Sequence, residues 1–335
     1  MDLSKLDKIL KDEKKYRAQQ VKRAVFKNLI KDWSEATSLA VILREKLTQE
    51  CPLEIDARVF ISKDGQAIKA LIKLKDGLAI ESVLMRYKEG RNAICASTQV
   101  GCPLGCVFCA TGKMGFKRNL DAGEIVEQIL FFARYLKERG ETIKNVVLMG
   151  MGEPFLNYDN VLLATRIIND KDGLNLGIRH ISISTAGLTE GIRKLAEENL
   201  AVNLAISFHA PDDELRARLM PIGKQYPIEK ILSAVDEYIE KTGRKVMFEY
   251  VLIKGVNDSD ADAKKLAKLM KKKLYMVNLI AYNSTNDFSQ SSPERTARFK
   301  EILENEGVSV TERHSFGTDI FAACGQLAVS GVVKL

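Results

Sequence analysis

The 335-residue sequence contains no apolar run long enough to span a membrane. Its first stretch, "MDLSKLDKILKDEKKYRAQQ", lacks the apolar segment of a secretory leader and is a charged helical pattern. No short internal repeat and no low-complexity tract stands out. The six cysteines are too unevenly spaced for a disulfide framework. These absences argue against a membrane protein, an exported protein and a disulfide scaffold. The expected compartment is the cytoplasm, where thiols stay reduced and clustered cysteines serve metals or redox chemistry.

What is present suits a large soluble core. Apolar residues make up 46% of the chain. The length fits one α/β barrel with a small appendage. Net charge is +7, and the sequence pI is about 8.9. Residues 1–31 hold ten Lys and Arg against four Asp and Glu. Such a basic end suits a polyanion such as RNA. On charge alone, a solvated helix face is the plainer reading. "MKKKL", around Lys271–Lys273, reads as the end of an exposed helix.

The chain divides unequally. Residues 1–50 read as helices, with Leu3, Leu6, Ile9 and Leu10, then Val21, Val25 and Leu29, at helical spacing. Residues 51–92 read as a small antiparallel β extension, its β-rich runs broken by "KDG" at 63–65 and 75–77. From residue 93 to 335, apolar strands alternate with amphipathic helices. "DAGEIVEQILFFARYLKERG" is a clear helix: Asp121 and Glu124 have capping-box spacing, Ile125, Ile129, Phe132 and Leu136 share a face, and Gly140 stops it. Further helices are expected near 158–169, 188–199, 227–241, 259–272 and 293–306. About six βα units predict an α/β fold with a partial or complete barrel and chemistry at the C-terminal strand ends.

The densest chemical signal is "GCPLGCVFCATG". Cys102, Cys106 and Cys109 lie within eight residues of a Gly- and Pro-rich loop. Structural zinc usually takes four protein ligands, and no fourth Cys or His lies nearby. Three thiolates fit a four-iron cluster with one iron left open. A zinc site completed by a distant residue, and three merely buried thiols, are the alternatives. A second signal is "MGMGEP", Met149 to Pro154, at the end of an apolar strand. Its glycines let backbone approach a ligand, and Glu153 could hold an amino group. A third is "FGTDIFAACGQLA" near the C-terminus, which carries Cys324, while Cys95 precedes the triad in "AICASTQVGC".

Together these motifs resemble the radical S-adenosylmethionine RNA methyltransferases that modify an aromatic carbon of adenosine. The resemblance runs from about residue 80 to 327. It includes "IESV", "CVFCATG", "GMGEP", "SISTAG", "SFHAP", "RLMPI", "FEYVLIKGVNDS", "VNLIAYN" and "DIFAACGQL" in that order. It implies a partial (β/α)6 barrel and a [4Fe-4S] cluster on Cys102, Cys106 and Cys109. S-adenosylmethionine would be bound by Gly152, Glu153, Ser184, Ser207, Phe208, His209 and Asn283. It also implies a reaction consuming two S-adenosylmethionine molecules. One methylates Cys324; the other yields a radical that takes hydrogen from that S-methyl group. The carbon radical adds to adenine, Glu81 accepts the ring proton, and Cys95 attacks the sulfur of Cys324. The resulting disulfide releases methylated RNA. His180 and His314 are expected to be structural, and Cys51 an ordinary buried thiol.

The resemblance points to C2 methylation of a 23S rRNA adenosine in the peptidyl-transferase region, and of a tRNA adenosine 3′ of the anticodon. Partners would be these RNAs and a flavodoxin-like electron donor; the chain would act as a monomer, away from membranes. Phe316, where C2 enzymes commonly carry arginine, and "RYKEG" lean instead toward C8 methylation. "STNDFSQSSPE" lacks the usual proline-rich loop. "GMGEPFLN" and "FEYVLIKGVNDS" favour C2. Two other classes are a non-catalytic, zinc-stabilised RNA-binding protein and a radical enzyme acting on a small molecule.

Overall fold

A computed structural model describes residues 2–11, 13–285 and 288–329. Asn286 and Asp287 of "STNDFSQSSPE", and the end of the third unit at 330–335, lie outside the described residues.

The N-terminal region holds helices α1 (Leu3–Lys11), α2 (Lys15–Lys22) and α3 (Val41–Glu50), with a π-turn at Arg23–Lys27 continuing α2. Leu6, Ile9, Val21 and Val25 point inward, as their spacing predicts. Trp33 is buried, and its Nε1 donates to the Cys51 carbonyl at 2.7 Å. Cys51 is itself buried there, away from the other cysteines' chemistry. Part of the basic charge faces the barrel: Lys22 pairs with Asp170 at 3.1 Å, and Lys31 pairs with Glu138. Exposed pairs of this kind contribute at most about 1 kcal/mol each.

Three antiparallel strands follow: β1 (Ala57–Ile61), β2 (Ala67–Lys73) and β3 (Ala79–Arg86). β3 pairs antiparallel with β4 (Asn92–Cys95), so the extension is continuous with the main sheet. After β4, a two-stranded hairpin of β5 (Gln99–Gly101) and β6 (Phe116–Asn119) frames the cysteine loop and the short α4 (Ala110–Lys113).

The repeating part then runs α5 (Ala122–Lys137), β7 (Asn145–Leu148), α6 (Tyr158–Asn169), β8 (Ile181–Thr185) and α7 (Thr189–Glu197). It continues with β9 (Asn203–Ser207), α8 (Asp213–Leu219), α9 (Ile228–Thr242), β10 (Val246–Leu252) and α10 (Asp260–Leu269). β11 (Tyr275–Ala281), α11 (Pro293–Asn305) and β12 (Val310–Arg313) close it. The ten-stranded sheet has the order β1-β2-β3-β4-β7-β8-β9-β10-β11-β12. From β4 to β12 every neighbour is parallel. β1 and β12 are its two edges, so the barrel is open and partial.

The α5 capping box forms as expected: Glu124 N–H donates to Asp121 at 2.8 Å, and Asp121 N–H donates back to Glu124 at 3.0 Å. Its four predicted core residues are fully buried. α8 runs into the start of "RLMPI" where no helix was expected, because seven residues are too few for a visible apolar period. Lys271 and Lys272 follow the end of α10 and pair with Glu306 and Asp236. Among the described residues, no helix is long and apolar enough to cross a membrane.

Candidate active site

The parallel strands open at their C-terminal ends onto a cleft with a free volume of about 170 Å³. Cys102, Cys106 and Cys109 form one wall. Gly152, Glu153, Ser184, Ser207, His209, Asn283 and Cys324 complete it, so residues far apart in sequence converge there.

The cysteine loop is tied down through its backbone. Cys102 N–H donates to Gly115 O at 3.1 Å, Val107 N–H to Leu219 O at 3.0 Å, and Ala110 N–H to Gly325 O at 2.7 Å. Gly101 has φ +74°, and a Cβ there would lie 1.8 Å from Gly115 O. Only glycine lets the two arms approach this closely. Burial pushes the Cys102 thiol up to about 12 and raises Cys106 as well. Apolar surroundings thus hold these sulfurs neutral until a cation lowers their pKa, as bound iron would. Among the described residues, no three Cys, His, Asp or Glu side chains are grouped to hold a single metal ion. The three thiols share one wall of a cleft with an open side, a donor set that fits a multi-iron cluster.

Glu153 follows β7 and is 3% exposed. Its oxygens accept from Ala186 N–H at 2.7 Å and Phe155 N–H at 3.0 Å. Burial outweighs these bonds and raises its carboxyl to about 7. Gly152, at φ +99°, sits where a Cβ would meet Gln99 Cβ at 2.5 Å. That close approach lets Gln99 Oε1 accept from Glu153 N–H at 2.8 Å.

Ser184 and Ser207 place their hydroxyls 3.4 Å apart across β8 and β9. His209 takes the left-handed conformation at φ 59° and packs edge-on against Phe108 at 5.0 Å. Its Nδ1 accepts from Val251 N–H at 3.1 Å, which leaves the ring proton on Nε2. Burial, reinforced by Arg216, lowers its pKa to about 3, so it stays neutral. Phe208 departs from expectation. Its side chain is buried against Phe248 at 5.5 Å, and its N–H donates to Glu249 O, so it forms none of the cleft wall. Its neighbours Ser207 and His209 face the cleft while the Phe208 side chain turns into the core. Asn283 donates to the Cys324 carbonyl at 3.2 Å.

Cys324 is exposed to the cleft. It also lines a second cavity with Cys95, so the two thiols face one space. Desolvation by the surrounding protein raises both, Cys95 to about 12. Arg313, ending β12, opposes that rise in each. Burial would weaken its own charge, but Cys324, Glu249 and Cys95 outweigh this and hold it above normal. Its Nη1 stands 3.7 Å from Glu249, whose other oxygen accepts from Asn278 at 2.9 Å. Sequence reading missed Arg313 and Glu249; a charged residue inside the apolar run "KVMFEYVLI" was the available signal for the latter.

Glu81 does not line either cavity. It is fully buried rather than solvent-facing, pairs with Lys69 at 3.0 Å, and accepts from Ala328 N–H at 2.8 Å. Burial raises its carboxyl, and Lys69 opposes that. His180 and His314 lie outside the main cleft. His314 packs edge-on against Phe316 at 4.8 Å, and Phe316 against Tyr87 at 4.7 Å.

Comparison with known proteins places this geometry. Residues 96–267 match the model of the radical SAM superfamily, and residues 1–53 match that of the ribosomal RNA large subunit methyltransferase N-terminal domain. A probable dual-specificity RNA methyltransferase RlmN of Dictyoglomus turgidum is 48% identical over 94% of this chain and 91% of its own length. The ribosomal RNA large subunit methyltransferase N of Nitrosopumilus maritimus is 45% identical over 93% and 92%. The crystal structure of a radical SAM methyltransferase from Sphaerobacter thermophilus superposes with a TM-score of 0.93, at 44% identity, over 98% of this chain and 97% of that one. A cysteine-lined cleft at the mouth of an open barrel, with near-full-length relatives, leads to one assignment: the chain belongs to the RlmN family of radical S-adenosylmethionine RNA methyltransferases.

Proposed function

We propose that the chain methylates C2 of adenosine in 23S rRNA and in tRNA, with Cys324 as the methyl carrier. The observation that supports this best is that Cys324, far from the triad in sequence, shares its cleft, and shares a second cavity with Cys95. The curated relatives named as dual-specificity RNA methyltransferases extend the reading to two RNA classes. When bound at Cys102, Cys106 and Cys109, the cluster and S-adenosylmethionine supply a methyl cation equivalent and an organic radical, at two S-adenosylmethionine molecules per turnover.

The protein's own groups do the rest. Gly152 and Glu153 hold the methionyl amino end, and Ser184, Ser207, His209 and Asn283 orient the remainder. The Cys324 sulfur takes the methyl group, carries it to the base, and is released when Cys95 attacks it. Arg313 favours the anionic form of both sulfurs, the nucleophilic form. Glu81 would reach substrate as proton acceptor only after the segment bonded to it lifts away. The basic N-terminal helices meet RNA through phosphates, and the target base is unstacked to enter. A flavodoxin-like donor, action as a monomer and a cytoplasmic setting complete the reading.

Mass spectrometry of nucleosides from RNA treated with reconstituted enzyme tests it, with 2-methyladenosine as the expected product. The rival is C8 methylation, which draws on the packed pair Phe316 and Tyr87 beside the second cavity. Finding 8-methyladenosine instead would select it.

Glu153 gives a pH signature. Its carboxyl titrates near 7 because burial disfavours charge, and the ionised form accepts hydrogen bonds from the amino group. Affinity for S-adenosylmethionine should be steady above that value and fall by up to about tenfold per pH unit below it. Glu153→Gln should bind more weakly with that dependence removed. Calorimetric titration of reconstituted protein across the range checks this; a flat wild-type profile sinks it.

A further inference from the structure

Lys69 on β2 and Glu81 on β3 form the most deeply buried ion pair among the described residues, at 1% and 0% exposure. The strand register sets Lys69 opposite Val83 and Leu71 opposite Glu81, so the two are diagonal neighbours on one face of the sheet. Removing two charges from water costs roughly what their attraction returns, so such a pair adds little net stability by itself. Its value lies in what it holds.

Both partners hold the same piece of chain. Lys69 Nζ donates to the Phe321 carbonyl at 3.1 Å. Glu81 accepts from Ala328 N–H at 2.8 Å. The two bonds pin residues 321–328 near both ends, and Cys324 lies midway. Between the pins, Ala110 N–H of the cysteine loop donates to Gly325 O at 2.7 Å. Thr111 Oγ1 donates to Leu327 O at 2.6 Å, and Asn283 to Cys324 O at 3.2 Å. The segment contains no helix or strand of its own beyond a short 3₁₀ turn ending at Ile320, so these side-chain anchors fix its position.

We propose that Lys69 and Glu81 are positioning residues: a buried two-point latch that seats the Cys324 segment between the cysteine loop and Cys95. In this state Glu81 holds the segment and is covered by it, so the latch must open before its carboxylate can meet the base. The importance of Cys324 rests on the function proposed above; the latch itself is read from the protein alone.

Hydrogen–deuterium exchange of the full-length reconstituted enzyme, with iodoacetamide labelling of Cys324 located by peptide mass spectrometry, tests the latch without reference to catalysis. Glu81→Ala should speed exchange in peptides covering 318–329, and labelling of Cys324, on the order of tenfold, while peptides from β8 to β11 keep wild-type rates. The double variant Lys69→Met, Glu81→Gln removes both charges but leaves an acceptor for Ala328 N–H. It should speed exchange at 318–323 and leave 326–329 near wild type, which keeps the test decisive if Glu81→Ala does not fold. Wild-type exchange and labelling in both variants would overturn the latch. So would unaltered exchange in Glu81→Ala accompanied by RNA stalled on Cys324, the outcome for a proton acceptor alone.

Discussion

Cys324→Ala is expected to abolish RNA methylation, by a factor of at least about 10³, while iron content and thermal stability stay close to wild type. The size follows from the proposed role: if the Cys324 sulfur carries the methyl group, its removal leaves no alternative carrier, and such losses run from about 10³ upward. The small structural cost follows from position. Cys324 is exposed to the cleft, its carbonyl and not its sulfur makes the bond to Asn283, and an exposed substitution typically changes stability by less than about 0.5 kcal/mol. Cys95→Ala provides the contrast. It leaves Cys324 able to take and transfer the methyl group but removes the thiol that frees it, so RNA should accumulate bound to the protein. A denaturing gel with labelled RNA reads both outcomes. If Cys324→Ala methylates RNA at a measurable fraction of the wild-type rate, the carrier assignment is wrong.

Cys106→Ala is expected to leave the purified protein without its brown colour and without detectable S-adenosylmethionine cleavage. Cys106 is one of three neighbouring sulfurs on the cleft wall. Two thiolates cannot hold a cluster that needs three protein ligands at its closed corners. Burial also works against Cys102: its thiol, near 12 without a cation, would revert to its neutral form once iron is lost. Cys51→Ala serves as the control. Its buried sulfur faces the Asp2 carbonyl at 3.5 Å, away from the cleft, so the variant should keep its iron even if it melts at a lower temperature. Iron and sulfide assays with the visible spectrum decide the matter. A Cys106→Ala protein with full iron content would show that the loop is not the cluster's anchor.

Much of the site could be read before any fold was known. The triad and Glu153 sit in short local motifs, where spacing and glycine content carry the chemistry. Ser184, Ser207, His209 and Asn283 were legible only through resemblance, and the cleft does gather them. Phe208 turns its side chain inward against Phe248, a matter of local geometry that a motif written in letters does not record. Glu81 received its role only through resemblance, and the fold shows the C-terminal segment covering it and Lys69 paired with it. Arg313 escaped notice because its significance comes from Cys95, Glu249 and Cys324, none of them near it in sequence except Cys324.

The linear order of residues determined the repeating strands and helices, the capped and stopped α5, and a three-sulfur loop, because each depends on neighbours within a few positions. Only the folded chain decided that the C-terminal segment crosses back over β2 and β3, brings Cys324 to the cysteine loop and opposes it to Cys95. Contacts between residues more than two hundred positions apart have no local signature. They arise when the parallel sheet curls and its strand ends meet around one opening.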